Sequence, residues 1–226
     1  MMMHKVLAAI VLALLPQEKN EAEQLFKKME EKIVKAKTIR VVMTGEMDAM
    51  KMTLSGEMLL GEDSRARADL EGKAGDHALK AGIISDGKRI RLESSDKPKA
   101  RELDVPGTLG GLARTCLARG GFLGTLDSFD SEKSVKASAD DLFAASAFKL
   151  GAKEKIGERD AQPVEYQLDK KGHRPTEATV WIDTETCLPL KRTLKKGPMT
   201  LTEAYSVVQI DEKIDPAKFE LPKETK

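Results

Sequence analysis

Met43, Met47, Met50, Met52 and Met58 crowd one short stretch of the chain, with Met29 a little upstream. Thioether side chains are flexible and polarizable, so a wall of them adapts to apolar guests of varied shape. The same residues could equally fill the irregular gaps of a closed core, and both readings stand at this point. Capture of Cu(I) by converging sulfurs would have to proceed without help from His or Cys and is set aside.

Groupings that do covalent or acid–base chemistry are missing. No G-x-S-x-G elbow, Walker loop, HExxH, CxxC or strand-following GxGxxG occurs. His77 and His173 sit beside glycine or charged residues, where histidine is ordinarily a solvated surface group. Asp140 with Asp141, and Glu102 with Asp104, fall in charged loops and read as solvating groups rather than acid/base pairs. A triad built round His173 has no spacing to support it. Two cysteines are too few for a disulfide framework or a four-thiolate zinc site, and there are only three histidines. The sequence therefore reads as non-catalytic, with no cofactor and no metal. Cys116 and Cys187 read as separate small buried hydrophobes, although an oxidising compartment would let them pair if they met.

The chain has 226 residues, with 38 Lys+Arg against 37 Asp+Glu. No basic field exists to hold a phosphate backbone, which excludes nucleic acid as a partner. Hydrophobic residues make up 40% of the chain and aromatic ones only 4%. An aliphatic and thioether interior suits an acyl chain better than a planar cofactor or a sugar.

Residues 1–16, MMMHKVLAAIVLALLP, have the form of a secretory signal peptide. The apolar run is shorter than the roughly 20 residues a membrane-spanning helix needs, so the protein is at most peripheral to a membrane. No cysteine follows the run, so the chain is not itself read as a lipoprotein. Export to the periplasm is expected, with residues 17–226 forming one domain.

The elements that must position these residues follow from changes of period. Asn20 can cap a helix, with Glu23 reaching back as in a capping box, and Ala22, Leu25, Phe26, Met29 and Ile33 make its apolar stripe. From Thr38 the period becomes two. Ile39, Val41 and Met43 alternate with polar residues, and Met50, Met52, Leu54, Met58 and Leu60 form a second alternating set, as in a long antiparallel hairpin. Strands follow near 65–72, 78–85 and 89–94, the last two joined by the tight-turn pair Asp86-Gly87. Residues 95–107 read as a loop. Residues 108–126 have helical apolar spacing but contain Gly110, Gly111, Gly120, Gly121 and Gly124, each costing about 1 kcal/mol in a helix interior, so a short helix or pair of turns between flexible joints is expected. A short helix near 140–147 and strands near 148–156, 164–169, 178–182, 188–194 and 199–210 complete the chain. The fold class is mainly β (α+β): an unclosed antiparallel half-barrel of about ten strands, with an N-terminal helix and a helical lid over the concave face.

Four segments, taken in order, carry a resemblance along nearly the whole chain after the leader: SRAR at 64–67, IISDGK at 83–88, VWIDTETCLPLKR at 180–192 and IDEKIDPAKFELP at 210–222. Together they resemble the lipoprotein-carrier (LolA/LolB-like) superfamily of the bacterial envelope. The resemblance implies a monomeric exported protein that holds lipid or lipoprotein acyl chains between sheet and lid. It implies wall positions at Val41, Met43, Met50, Met52, Leu54 and Met58, and lid positions at Leu112, Leu117, Phe122 and Leu123. It also implies an arginine near the start of an early strand that bonds to lid backbone, best matched by Arg65, with Arg67 as the alternative. The glycine pairs Gly110-Gly111 and Gly120-Gly121 would let the lid open and close. Related regulators use the same half-barrel to sense mislocalised lipoproteins, which implies the alternative of an envelope sensor or scaffold with a protein partner.

Overall fold

The computed structural model describes residues 20–97 and 99–222; the expected leader lies outside them. Asn20 starts helix α1 (Glu21–Lys35), its side-chain oxygen accepting the backbone N–H groups of Ala22 and Glu23. These are two of the four donors that a helix start leaves open. The reciprocal half of the expected capping box gives way to a pairing of Glu23 with Lys27 one turn on. Ala22, Phe26, Met29 and Ile33 are the buried stripe.

Two antiparallel meanders follow, separated by helices. The first comprises β1 (Ile39–Met47), β2 (Met52–Leu60), β3 (Arg65–Ala74), β4 (His77–Asp86), β5 (Arg89–Ser94) and β6 (Arg101–Asp104). Then come α2 (Leu109–Asp127), α3 (Glu132–Val135) and α4 (Ala139–Phe143). The second meander is β7 (Ala144–Leu150), β8 (Glu154–Ile156), β9 (Arg159–Asp169), β10 (Thr176–Asp183), β11 (Pro189–Lys196) and β12 (Met199–Ile210). The strand order is β6-β5-β4-β3-β2-β1-β12-β11-β10-β9-β7, with β8 also on β9. The first and last strands therefore meet at the centre, Ile39 opposite Ile210 and Met47 opposite Leu201. The opposite edges, β6 and β7, do not pair with each other, so the sheet is open, as expected. A connection from one edge to the other has to cross a face of the sheet, and α2 to α4 make that crossing.

Among the described residues twelve strands stand where about ten were expected. Strand β6 lies inside the segment read as a loop, because Asp, Pro and Lys around it mask a run of only four residues. Strand β7 begins at Ala144, where helix was expected, and its pairing with β9 shifts register between Ser146 and Lys149, with Ala147 at φ +55°.

The alternation of β1 and β2 puts Ile39, Val41, Met43, Leu54, Met58 and Leu60 on the inner face, in one core with Phe26, Met29 and Ile33. Met50 departs from the expected alternation. It lies in the 3-10 turn Asp48–Met50, before the left-handed Lys51 (φ +46°), and is 52% exposed. A turn breaks strand parity, so the second alternating set begins at Met52 and not at Met50.

Candidate ligand-binding site

Helix α2 is the element on which the site depends. Leu109, Leu112, Ala113, Cys116, Leu117, Ala118 and Phe122 are all buried. A helix that is apolar round most of its girth needs protein on several sides, and α2 meets α1, α4 and β2. Of its five glycines only Gly121 leaves helical geometry, at φ +79° and ψ −165°. That region is essentially open to glycine alone.

A break in a helix exposes carbonyls on one side and N–H groups on the other. The strands beneath supply partners of the matching sign. Before the break, Arg192 of β11 donates from Nη2 to the carbonyl of Ala118 (2.7 Å), and Tyr166 of β9 donates its hydroxyl to that of Arg119 (2.6 Å). After it, the Glu203 carboxylate of β12 accepts the backbone N–H of Phe122 (2.9 Å) and of Leu123 (2.8 Å). Tyr205 donates its hydroxyl to the same carboxylate. The cation thus sits at a helix C-terminus and the anion at an N-terminus, the favourable arrangement for both dipoles. Arg192 and Glu203 are both fully buried. Burial works against the Arg192 charge, but Tyr166, Tyr205 and Glu203 outweigh it and hold the guanidinium above its ordinary range. Burial, then Glu203, push the Tyr205 phenol well up, and burial raises Tyr166, so both hydroxyls stay protonated and donate. Nε and Nη1 of Arg192 reach no acceptor among the described residues.

The start of α2 is fastened as well. The Ser64 hydroxyl accepts the N–H of Gly110 (3.0 Å) and donates to the Gly107 carbonyl. Arg114 donates to four carbonyls, those of Ala36, Lys37, Gly61 and Gly110, all within 2.9 Å. Burial lowers its guanidinium pKa from the usual value.

Arg65 does not bond to the lid. Its Nε donates to the carbonyl of Glu62, its guanidinium lies over the Phe219 ring, and Arg67 pairs with Asp69. The reason is parity: Ala66 and Ala68 take the inner face of β3, which turns Arg65 and Arg67 outward. Arg114 and Arg192 make the cross-links to lid and backbone instead. Arg192 and Glu203 left a readable signal, two charges sharing strand parity with Leu190, Leu194 and Leu201, which marks a buried charge. Nothing in the spacing marked Ser64 or Arg114.

Of the expected wall and lid positions, Val41, Met43, Leu54, Met58, Leu112, Leu117 and Phe122 are buried in one apolar core. Met52 and Leu123 pack against it partly buried, and Met50 stands outside it. Wall and lid meet directly: a Cβ on Gly56 of β2 would strike the Phe122 ring, 2.7 Å from Cζ. Cys116 and Cys187 are free and buried, and burial pushes the Cys116 thiol up to about 12, which leaves it unreactive. Among the described residues no group of three His, Cys, Asp or Glu could hold a metal ion, and no helix is long and apolar enough to cross a membrane.

No protein-family model matches the sequence, and no curated protein does. Solved structures do resemble it. LprF from Mycobacterium bovis aligns over 83% of this chain and 92% of its own, at 11% identity and a TM-score of 0.51. The lipoprotein LppX of Mycobacterium tuberculosis aligns over 85% and 98%, at 11% identity and 0.48. A LolA superfamily protein from Nitrosomonas europaea aligns over 88% and 97%, at 10% identity and 0.36. The fold assignment rests on the first of these, and LolA-like proteins stand among the structures this chain resembles. The chain has the fold of LprF, an open antiparallel sheet with a helical cover.

Proposed function

We propose that this protein binds the acyl chain of a lipid or lipoprotein between sheet and α2, and stores it or hands it on without chemistry. One observation supports this reading above the others. Among the described residues, the buried polar groups that cross between sheet and cover are spent on the backbone at the start and the break of α2, and the layer between Val41, Met43, Leu54, Met58 and the lid residues Leu112, Leu117 and Phe122 is left apolar. A guest there is held by hydrophobic transfer, about 0.8 kcal/mol per buried methylene, and needs no ion pair. To admit it, the part of α2 beyond Gly121 swings out while the part before it stays fastened by Ser64, Arg114 and Arg192. Export to the periplasm through residues 1–16 belongs to the same proposal, with 17–226 as the carrier domain and the monomer as its working form.

Native mass spectrometry with lipid extraction, on mature protein purified gently from an envelope fraction, tests this reading. A bound acyl species is the expected result. A clean apo mass with no uptake of added fatty acid overturns it, and a stoichiometric protein partner in that preparation turns the reading to the envelope sensor or scaffold. Met52→Asp, at the partly buried rim of the wall, should weaken binding of a fluorescent fatty acid with the unfolding midpoint little changed. Unchanged affinity removes Met52 from the site.

A further inference from the structure

Where α2 ends, the sheet carries a cleft of about 270 Å³. Its apolar floor is made by Met47 of β1, Leu168 of β9, Leu194 of β11, Leu201 of β12 and Phe143 at the end of α4. Register explains the grouping: Leu201 stands opposite Met47 on one side and Leu194 on the other, so neighbouring strand ends present one patch. The rim is of the opposite character, with Lys170, His173, Arg174 and Lys196 around the same opening. The acid lining it is Asp127, the last residue of α2, which pairs with Lys170 at 2.8 Å. Among the described residues Arg174 and Lys196 make no ion pair.

In a chain whose charges otherwise nearly cancel, three Lys or Arg against one Asp about an apolar floor is a local excess that no other described residue lining the cleft neutralises. Like charges held together repel, and a ligand anion relieves the repulsion. The floor asks for a hydrocarbon and the rim for a negative group at its end. The volume lies just below the roughly 300 Å³ at which ordinary ligand sites begin, which suits one chain end and not a two-chain lipid.

We infer that this cleft takes a fatty acid, its chain on the Met47–Leu194–Leu201 floor and its carboxylate among Lys170, Arg174 and Lys196. The inference rests on the acyl-carrier reading and adds to it the headgroup class and the end at which the chain enters. Because Asp127 closes both the cleft and α2, the ligand lies beside the part of the cover that follows Gly121.

The test compares dodecanoate with 1-dodecanol, equal chains with and without charge, both below their aggregation limits, by calorimetric titration of the mature protein. The wild type should bind dodecanoate more tightly by about tenfold, one charge-assisted contact's worth, and the preference should shrink as salt rises. Arg174→Glu with Lys196→Glu, both on exposed side chains, should bring the two ligands to within about twofold of each other by removing that contact, with dodecanol affinity and unfolding midpoint unchanged. Equal binding of both ligands by the wild type, or an undiminished preference in the double variant, overturns the headgroup assignment and leaves the carrier reading intact. Binding of neither ligand overturns both. A double variant that loses affinity for anionic phosphatidylglycerol vesicles yet keeps its preference for dodecanoate makes the rim a membrane-facing surface and overturns the inference.

Discussion

The two parts of α2 on either side of Gly121 are held in different ways. The part before the break is fastened at both ends, by Ser64 and Arg114 at its start and by Arg192 and Tyr166 where it stops. Among the described residues, the part after it has its buried polar anchor, Glu203, where it begins, and its far end meets the sheet through exposed pairs, Asp127–Lys170 and, just past the helix, Asp130–Arg101, beside an open cleft. A second cleft, of about 230 Å³ and lined by Leu126, Ile83, Leu92 and Arg101, opens on the other flank of the same end. Stability within one fold is not uniform, and moving elements are drawn from the part with fewest anchors. Under the proposed function this contrast makes one helix both a fixed strut and a hinged cover, with the joint at Gly121.

Removing the carboxylate at that joint should disturb the molecule most. Glu203→Ala leaves two backbone N–H groups of α2 without their acceptor and the buried Arg192 guanidinium without the nearby carboxylate that favours its charge, and losses of this kind run to about 3–5 kcal/mol. Urea unfolding reads it directly. Glu203→Gln keeps a carbonyl acceptor for one N–H and should cost less than the alanine. Equal losses in the two would mean that the carboxylate's charge, and not the side chain's volume or its remaining carbonyl, is what counts.

Gly121→Ala comes next. A Cβ there meets the Glu203 carboxylate and the Tyr205 hydroxyl, on a backbone at φ +79° that side chains rarely adopt. The expected loss is about 1–3 kcal/mol. It sharpens the comparison, because amide exchange should quicken in residues 122–127 more than in 109–118. Uniform acceleration along α2 would remove the distinction between strut and cover.

The parts of this architecture that announced themselves are those in which neighbours along the chain share one environment. Helix α1 showed its stripe and its cap, and β1 showed its alternation, because each lies with one face on the core and one in water. The glycine-rich insert was legible as a cover but not as a helix of 19 residues, since Gly120 and Gly124 are there to let α2 lie close to Phe143 and not to break it. Tertiary packing overrode propensity at those positions. Arg65 misled because the resemblance places an arginine by its nearness to a strand start and takes no account of its parity on β3. The polar joint stayed hidden for a related reason: Tyr166, Arg192, Glu203 and Tyr205 come from three strands, and only the sheet brings them under one turn of helix. The Arg192 and Glu203 charges on apolar parity were visible, but the object they serve, a break at Gly121, had first to be built.

At the far end of α2 the anchoring is weak, and Lys170→Ala measures how weak. Both partners of the Lys170–Asp127 pair are more than a third exposed, so the loss should be only about 0.2–1 kcal/mol and smaller still in high salt. A loss as large as that of Glu203→Ala would show the far end to be fixed and would contradict the hinge.

The smallest effect at neutral pH concerns the scaffold that presents Arg192. Between β10 and β11 the Asp183 carboxylate accepts the backbone N–H groups of Glu185 (2.7 Å) and Thr186 (3.0 Å) and pairs with Arg159. Burial pushes this carboxyl up, but the two N–H groups and Arg159 outweigh it and hold its pKa below the ordinary value. A carboxyl with a lowered folded pKa contributes stability that is fully present above its unfolded value, about 3.9, and is lost as pH falls through the folded one. Asp183→Asn keeps a side-chain oxygen for the N–H groups and removes only the titrating charge. The variant should therefore be slightly less stable than the wild type at pH 7, and the gap should close as pH falls below about 4. A gap that stays constant into acid would assign the turn's strength to its hydrogen-bonded shape alone, with the Arg159 pair contributing nothing to the strand that fixes the strut.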